Sequence, residues 1–397
     1  MAFRRKKTLQ AIAALAGAGL CALAALAALV AIIAPQAQAS PTASSPYNWH
    51  VAKVFGGQPY ANLLSMTAIS AKDAWLFGDG AKGREVALHF NGSTWTPSYP
   101  FGSLPRPQSA SATAASNIWV AGGCTGSLDN YVARYNGKKW TTNLIKPATV
   151  RDTTFCDATV VTTGPTNGWI FGRGGAALNA TKALHFTGGK WVRVTIGNFG
   201  TVLVASAVSA SDIYLVTYTP TDKMLVVRYN GKTWKAVPVP AAPAPKGAHP
   251  YPDEIITPGS SNVWIATDLV QTGSDGGGYQ INASRLLHYN GARWTWVTVP
   301  GTDNTYNIAY DAGMVWVAGQ QPFPGPGTGW DFLSWNGKKW ADVAVPSAGV
   351  PGTGVNYQIY SLVHIPGTHS FWADGDAFYS SPSSQQEQAA VVFKYGP

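Results

Sequence analysis

From residue 47 onward, apolar and polar residues alternate with period two over short runs, and each run ends in a cluster of Gly, Asn, Asp, Ser or Thr. Period-two alternation puts successive side chains on opposite faces of an extended chain, so the pattern predicts half-buried strands separated by turns. After residue 40 no stretch holds a helical period over the roughly 10 to 15 residues of an amphipathic helix, which argues against a parallel sheet with crossover helices.

The runs repeat. Six hairpin signatures recur: Asn91-Gly92-Ser93-Thr94-Trp95, Asn136-Gly137-Lys138-Lys139-Trp140, Gly188-Gly189-Lys190-Trp191, Asn230-Gly231-Lys232-Thr233-Trp234, Asn290-Gly291-Ala292-Arg293-Trp294 and Asn336-Gly337-Lys338-Lys339-Trp340. Asn-Gly is read as the pair of positive-φ residues of a type I′ hairpin, with the Trp anchoring the returning strand. Upstream of each lies a polar turn followed by an aromatic: Trp75, Trp119, Trp169, Tyr214, Trp264 and Trp316, with a seventh at Trp372. These aromatics are 44, 50, 45, 50, 52 and 56 residues apart, the length of a four-stranded propeller blade with variable loops.

Each copy divides into strand a, small and rich in Ala, Ser and Thr (Leu63 to Ser70, for example), strand b with the aromatic, strand c ending at His89-Phe90 and its counterparts, and strand d starting at the hairpin Trp. The seventh copy has a, b and c near 357–365, 371–374 and 389–395, and no d. Tyr47 to Val54 has the aromatic and the alternation of a strand d and precedes the first copy. Pairing it outside the last strand c leaves no half-built blade with an open edge. The expected fold is therefore all-β: a seven-bladed β-propeller of four-stranded blades, closed by an N-terminal outer strand. A pair of β-sandwiches does not account for six matched hairpins.

Residues 1–39 run from Arg4-Arg5-Lys6-Lys7 through an Ala/Leu stretch to Ala37-Gln38-Ala39, the pattern of an export signal cleaved before Ser40. The expected organisation is a signal peptide at 1–39, a linker at 40–46 and one propeller domain at 47–397. The alternative is an uncleaved membrane anchor, since Leu9 to Ala34 is long enough to span a bilayer. The expected location is secreted or cell-surface, as a monomer, with no nucleic-acid partner. The chain carries a net charge of +9, and loss of the signal leaves about +5. Much of that charge is in the hairpins: Lys138, Lys139, Lys190, Lys232, Arg293, Lys338 and Lys339. Such turns share one face of a propeller and form a basic collar, read either as solvated turn residues or as a contact for anionic wall polymer or membrane. Cys124, after strand b of blade 2, and Cys156, before strand a of blade 3, would meet at one face of adjacent blades, and export favours a disulfide between them.

Chemistry is sparse. His89, His185 and His288 occupy a strand c position that Arg134, Arg228 and Ser334 fill elsewhere, which is not how metal ligands behave. Asp73, Asn117, Asn167, Asp212 and Asn262 recur in the a–b turns and are read as Asx turns. Asp374-Gly375-Asp376 has too few oxygens at regular spacing for a calcium loop. Nothing matches a P-loop, a dinucleotide fingerprint or G-x-S-x-G, so no cofactor, metal or catalytic residue is assigned.

The repeat, as in Ser70 to Trp95, resembles exported bacterial propellers with S-x-D-x-W-x-x-G and N-G-x-x-W copies, and more loosely the tectonin and tachylectin propellers. That resemblance implies a fold that hosts lectins and adhesins and names no active-site residue. Segments 267–283, 319–331 and 373–389 lengthen the b–c connections of blades 5 to 7 and gather on one face, where binding usually lives. The expected ligand residues are Tyr279 and Trp330, with Asp268, Asp374, Asp376, Arg173 and Gln320, an arrangement of aromatic and polar groups suited to sugar. The function expected is non-catalytic binding of an extracellular glycan or wall polymer. The alternative is an exported propeller lyase or hydrolase, which would need two carboxylates facing across the pocket.

Overall fold

The computed structural model describes residues 47–55, 61–80, 84–123, 130–145, 158–172, 181–272, 278–320, 329–381 and 386–397. They form 28 strands in seven antiparallel sheets of four. Blade 1 shows the unit: a Ala61–Ser70, b Asp73–Asp79, c Glu85–Phe90 and d Trp95–Ser98, hydrogen-bonded in that order. Blade 7 takes a, b and c from Thr353–His364, Phe371–Ser380 and Gln386–Tyr395. Its outer strand is Trp49–Phe55, paired from Trp49↔Tyr395 to Phe55↔Ala390. The N-terminal closure expected from the repeat count is thus present, and no blade is left without its fourth strand.

Tryptophan pairs join the blades. Trp140 at the start of strand d in blade 2 meets Trp75 of blade 1 edge-on, with centroids 5.5 Å apart. Trp191 meets Trp119 in the same way at 5.4 Å, Trp234 meets Trp169 at 5.6 Å, and Trp95 of blade 1 meets Trp372 of blade 7 at 6.1 Å. Trp49 of the N-terminal strand repeats the contact on Trp316 of blade 6, at 5.5 Å and 88°. It does for blade 7 what the hairpin Trp does elsewhere, so the N-terminal strand is a strand d in packing as well as in pairing. Edge-to-face geometry places the positive ring edge on the negative face of its neighbour, which adds to the apolar area buried.

Two expectations about local chemistry change. In the five Asn-Gly hairpins only the Gly has positive φ, for example Gly92 at 98° and Gly137 at 86°. The Asn works through its side chain: Asn91 Oδ1 accepts the N–H groups of Ser93 and Thr94 at 3.1 and 3.0 Å, and Asn136, Asn230, Asn290 and Asn336 do the same. Among the six c–d hairpins, two adjacent positive-φ residues, as type I′ requires, occur in the copy without Asn, at Gly188 and Gly189; the same pair recurs in the blade 6 a–b turn at Ala312 and Gly313. The a–b turn acids likewise reach further than an Asx turn. Asp73 Oδ1 lies 3.0 Å from His89 Nε2, and Asp212 takes Arg228 in a two-pronged contact at 2.7 and 2.9 Å. Asn117 and Asn262 accept Nε1–H of Trp119 and Trp264 at 2.6 and 2.8 Å.

Where the interchangeable strand c position holds His or Arg, the side chain lies over the strand b aromatic of its own blade. His89, His185 and His288 stack on Trp75, Trp169 and Trp264 at 4.2, 3.8 and 3.7 Å, and the Arg134 guanidinium lies 4.2 Å from the Trp119 ring centroid. A flat π-system or guanidinium satisfies this position, which explains why His and Arg exchange there. Burial lowers the pKa of His185 and His288, which favours the neutral ring.

Candidate functional site

Strand a of every blade lines a central channel of about 760 Å³. An innermost strand has an unpaired edge, and its backbone groups need partners. Here the neighbouring blade supplies them through side chains. Ser109 and Ser111 accept the N–H groups of Val160 and Thr162, both at 3.0 Å. Ser206 and Thr257 hydroxyls meet at 2.8 Å, and Asn307 donates to the Ile359 carbonyl at 3.2 Å. Glu254 accepts the Ile308 N–H at 2.6 Å. Crowding at the axis accounts for small residues in strand a; this inter-blade bonding accounts for their being Ser and Thr.

One irregularity recurs in these strands. The a–b register slips by one residue at Leu64, Gln108, Leu203, Asp253, Tyr306 and Tyr360, and each slip leaves a bulged residue that lines the channel. A bulge re-aims a side chain without ending the ladder. The strand b residue opposite is Gly where backbone approaches most closely: a Cβ on Gly78 would run into the Asn62 carbonyl, and one on Gly375 into that of Gln358. That is the physical content of the Gly in W-x-x-G. The bulged residues are a ring near the end where strands a begin, hereafter the upper end, which also carries the b–c connections.

The ring is uneven in chemistry. Tyr306, 37% exposed, stacks on Trp330 at 5.3 Å and 29°, and both line the channel. Asp253, Glu254, Gln108 and Gln358 add polar groups to the wall. Burial raises the Glu254 carboxyl to about 8, opposed by the Ile308 N–H. Among the described residues lining the channel there is no Lys, Arg or His.

Several of the residues expected at the ligand site hold this ring. Asp268, buried in strand b of blade 5 (Asn262–Thr272), accepts the Ser284 hydroxyl at 2.8 Å and the Thr305 N–H at 2.9 Å, fixing the backbone just before Tyr306. Burial pushes Asp268 up to about 6. Asp376 is fully buried and accepts the Tyr360 hydroxyl at 3.0 Å, the Asn62 N–H at 3.1 Å and the Gln388 amide at 2.6 Å, which ties blade 7 to blade 1. Asp374 is fully buried beside Ser361, and burial raises its pKa well above the usual range. Gln320 accepts the Asn304 amide at 3.0 Å and pairs with Trp330. Tyr279 pairs with Gln271 in the blade 5 hairpin, and its side chain lies outside the described residues, as do Arg173, Cys124 and Cys156.

Segments 267–283 and 373–389 are mostly strand, since b and c of blade 5 continue to Thr272 and from Gly278, and those of blade 7 to Ser380 and from Gln386. Tall b–c hairpins stand where long loops were expected. Asp253, Glu254, Gln108 and Tyr306 were not singled out in the sequence. Their available signal was a constant offset ahead of the strand b aromatic, seen at Leu64, Gln108, Leu203 and Asp253.

No protein-family model matches this chain, and no curated protein matches it. Solved structures do share its fold. The GH74 xyloglucanase of Xanthomonas campestris is 13% identical, with 86% of this chain and 55% of that one covered and a TM-score of 0.53. The N-terminal domain of Nup159 is 8% identical, covering 89% and 96%, at 0.50. A fucose-recognising fungal lectin from Aleuria aurantia, a six-bladed propeller, is 16% identical, covering 73% and 97%, at 0.47. At such identities the likeness to the first two is one of fold alone. The molecule is a seven-bladed β-propeller.

Proposed function

We propose that this protein is a non-catalytic extracellular binding propeller that holds a neutral glycan at the upper mouth of its channel. The observation that carries the reading is the Tyr306–Trp330 stack on the wall of a polar channel, beside Asp253, Gln108 and Gln358. A sugar offers C–H faces to an aromatic ring and hydroxyls to carboxylate and amide groups, and this wall offers both. Trp330, Asp268, Asp374, Asp376 and Gln320 belong to the site, the acids as supports beneath it and Trp330 as the backing of Tyr306. Tyr279 and Arg173 are proposed as additional upper-face contacts. With no Lys, Arg or His among the described residues of the wall, uronic and phosphate-bearing polymers find no cation at this mouth.

A glycan array on the mature protein, repeated with Tyr306→Ala, tests the reading. Binding to neutral glycans is expected in the parent, with loss of about tenfold or more in the variant at unchanged melting temperature. Binding that survives Tyr306→Ala places the site elsewhere, and turnover of a polymer supports the enzyme alternative.

Export, through residues 1–39, is part of the proposal, as is the tectonin-like or tachylectin-like character of the repeats. So is a Cys124–Cys156 disulfide. Non-reducing peptide mapping of the secreted protein is expected to recover the two cysteines in one linked fragment; two free thiols would reject the pairing.

A further inference from the structure

The lower face, formed by the a–b turns and c–d hairpins, carries a different chemistry from the channel. Every c–d hairpin of blades 2 to 6 presents exposed Lys or Arg, with paired lysines at Lys138-Lys139 and Lys338-Lys339. The blade 1 hairpin has none, but Lys72 of the adjoining a–b turn packs against Gly92 and is exposed, so the ring of cations continues. Blade 7 supplies Lys394, half-buried over Trp372, its ammonium donating to the Pro397 carbonyl oxygen. The carboxylates of the a–b turns are fewer than these cations, and each is held by a partner within the fold: Asp73 by His89, Asp212 by Arg228, and Asp311 by His369 at 2.6 Å. The opposite end carries the carboxylates Asp253, Glu254, Asp268 and Asp376 together with the cations Arg84, Arg106, Lys182, Lys223 and Lys246, whereas the c–d hairpins of the lower face carry cations alone.

We propose that the lower face docks a linear anionic polymer, such as a polyphosphodiester of a cell wall, and so orients the channel mouth away from that polymer. The cations are mobile point charges on turn residues, suited to a flexible chain of regularly spaced anions and not to one bidentate anion. A bilayer fits less well. The hairpin tips carry Asn, Gly, Ser, Thr, Lys, Arg and Ala, and the exposed apolar side chains near this face, Val192 and Val208, are single valines without an aromatic or long aliphatic side chain to insert among lipids. The interaction is therefore long-range and screened by salt, and it leaves the fold unchanged.

The test is binding of the mature protein to a purified glycerol-phosphate polymer at low and moderate salt, compared with polygalacturonate and with vesicles containing anionic lipid. The parent is expected to bind the phosphodiester polymer and to weaken steeply as salt rises. The variant Lys138→Gln/Lys139→Gln/Lys338→Gln/Lys339→Gln is expected to lose about tenfold in affinity, keep its melting temperature and keep any Tyr306-dependent glycan binding. Polymer binding that is insensitive to salt, or undiminished in this variant, would overturn the proposal. So would vesicles or polygalacturonate binding in place of the phosphodiester polymer. Should the quadruple variant not fold, Lys338→Gln/Lys339→Gln and the parent's salt dependence decide the matter on the same criteria.

Discussion

Glu254 sits where three demands meet. It lines the channel, it accepts the Ile308 N–H of the next blade, and burial raises its carboxyl from 4.5 to about 8. The folded protein then binds that proton more tightly than the unfolded chain. Stability linked to it is fully present below about pH 4.5 and is lost as pH rises through about 8. Asp268, raised to about 6, and Glu85, raised to about 7 by burial and by Asp79, act in the same direction. The melting temperature is therefore expected to fall between about pH 5 and about pH 8.5. Glu254→Gln keeps a carbonyl acceptor for Ile308 and removes the charge, so it is expected to flatten that fall; an unchanged slope would assign the proton elsewhere.

For the innermost strands, the relevant question is where an edge finds its hydrogen bonds. Ser111 accepts the Thr162 N–H at 3.0 Å across the blade 2–3 junction. Removing the hydroxyl with Ser111→Ala leaves a part-buried donor unpaired and is expected to cost about 1 kcal/mol, measured by chemical denaturation. A variant as stable as the parent would mean that channel water replaces the bond. The same edge logic explains why small polar residues dominate strand a, a bias visible in the chain whose purpose appears only once blades are set side by side.

The closed ring makes the N-terminal strand a structural element of the far end of the chain. Trp49 is buried against Trp316 and stacks on Phe332 at 3.8 Å. Trp49→Ala is expected to cost on the order of 3 to 5 kcal/mol. Deleting 47–55 would open a sheet edge along strand c of blade 7 and is expected to lower the melting temperature sharply. An unchanged melt after either alteration would contradict closure as a source of stability. At this scale the repeat also gathers cations at the c–d hairpin tips of one end of the ring.

Fold was legible because it is periodic: the strand b aromatics, hairpin tryptophans and spare N-terminal strand stand at spacings that only a closed seven-bladed ring satisfies together. Hairpin cations were legible for the same reason, since turn residues keep their place in every copy. The channel site was not. Asp374 and Asp376 look alike in sequence to exposed acids after a strand, yet both end inside blade 7, because strand b runs on past them to Ser380. Whether a carboxylate faces ligand or supports a neighbouring backbone depends on how adjacent blades meet, and Asp376 takes its role from Asn62, far away in the chain. Tyr306 reaches the channel through a one-residue slip in register. Alternation determines which face of a strand a residue would occupy; bulges and inter-blade contacts, which are long-range, decided which side chains gather at the mouth.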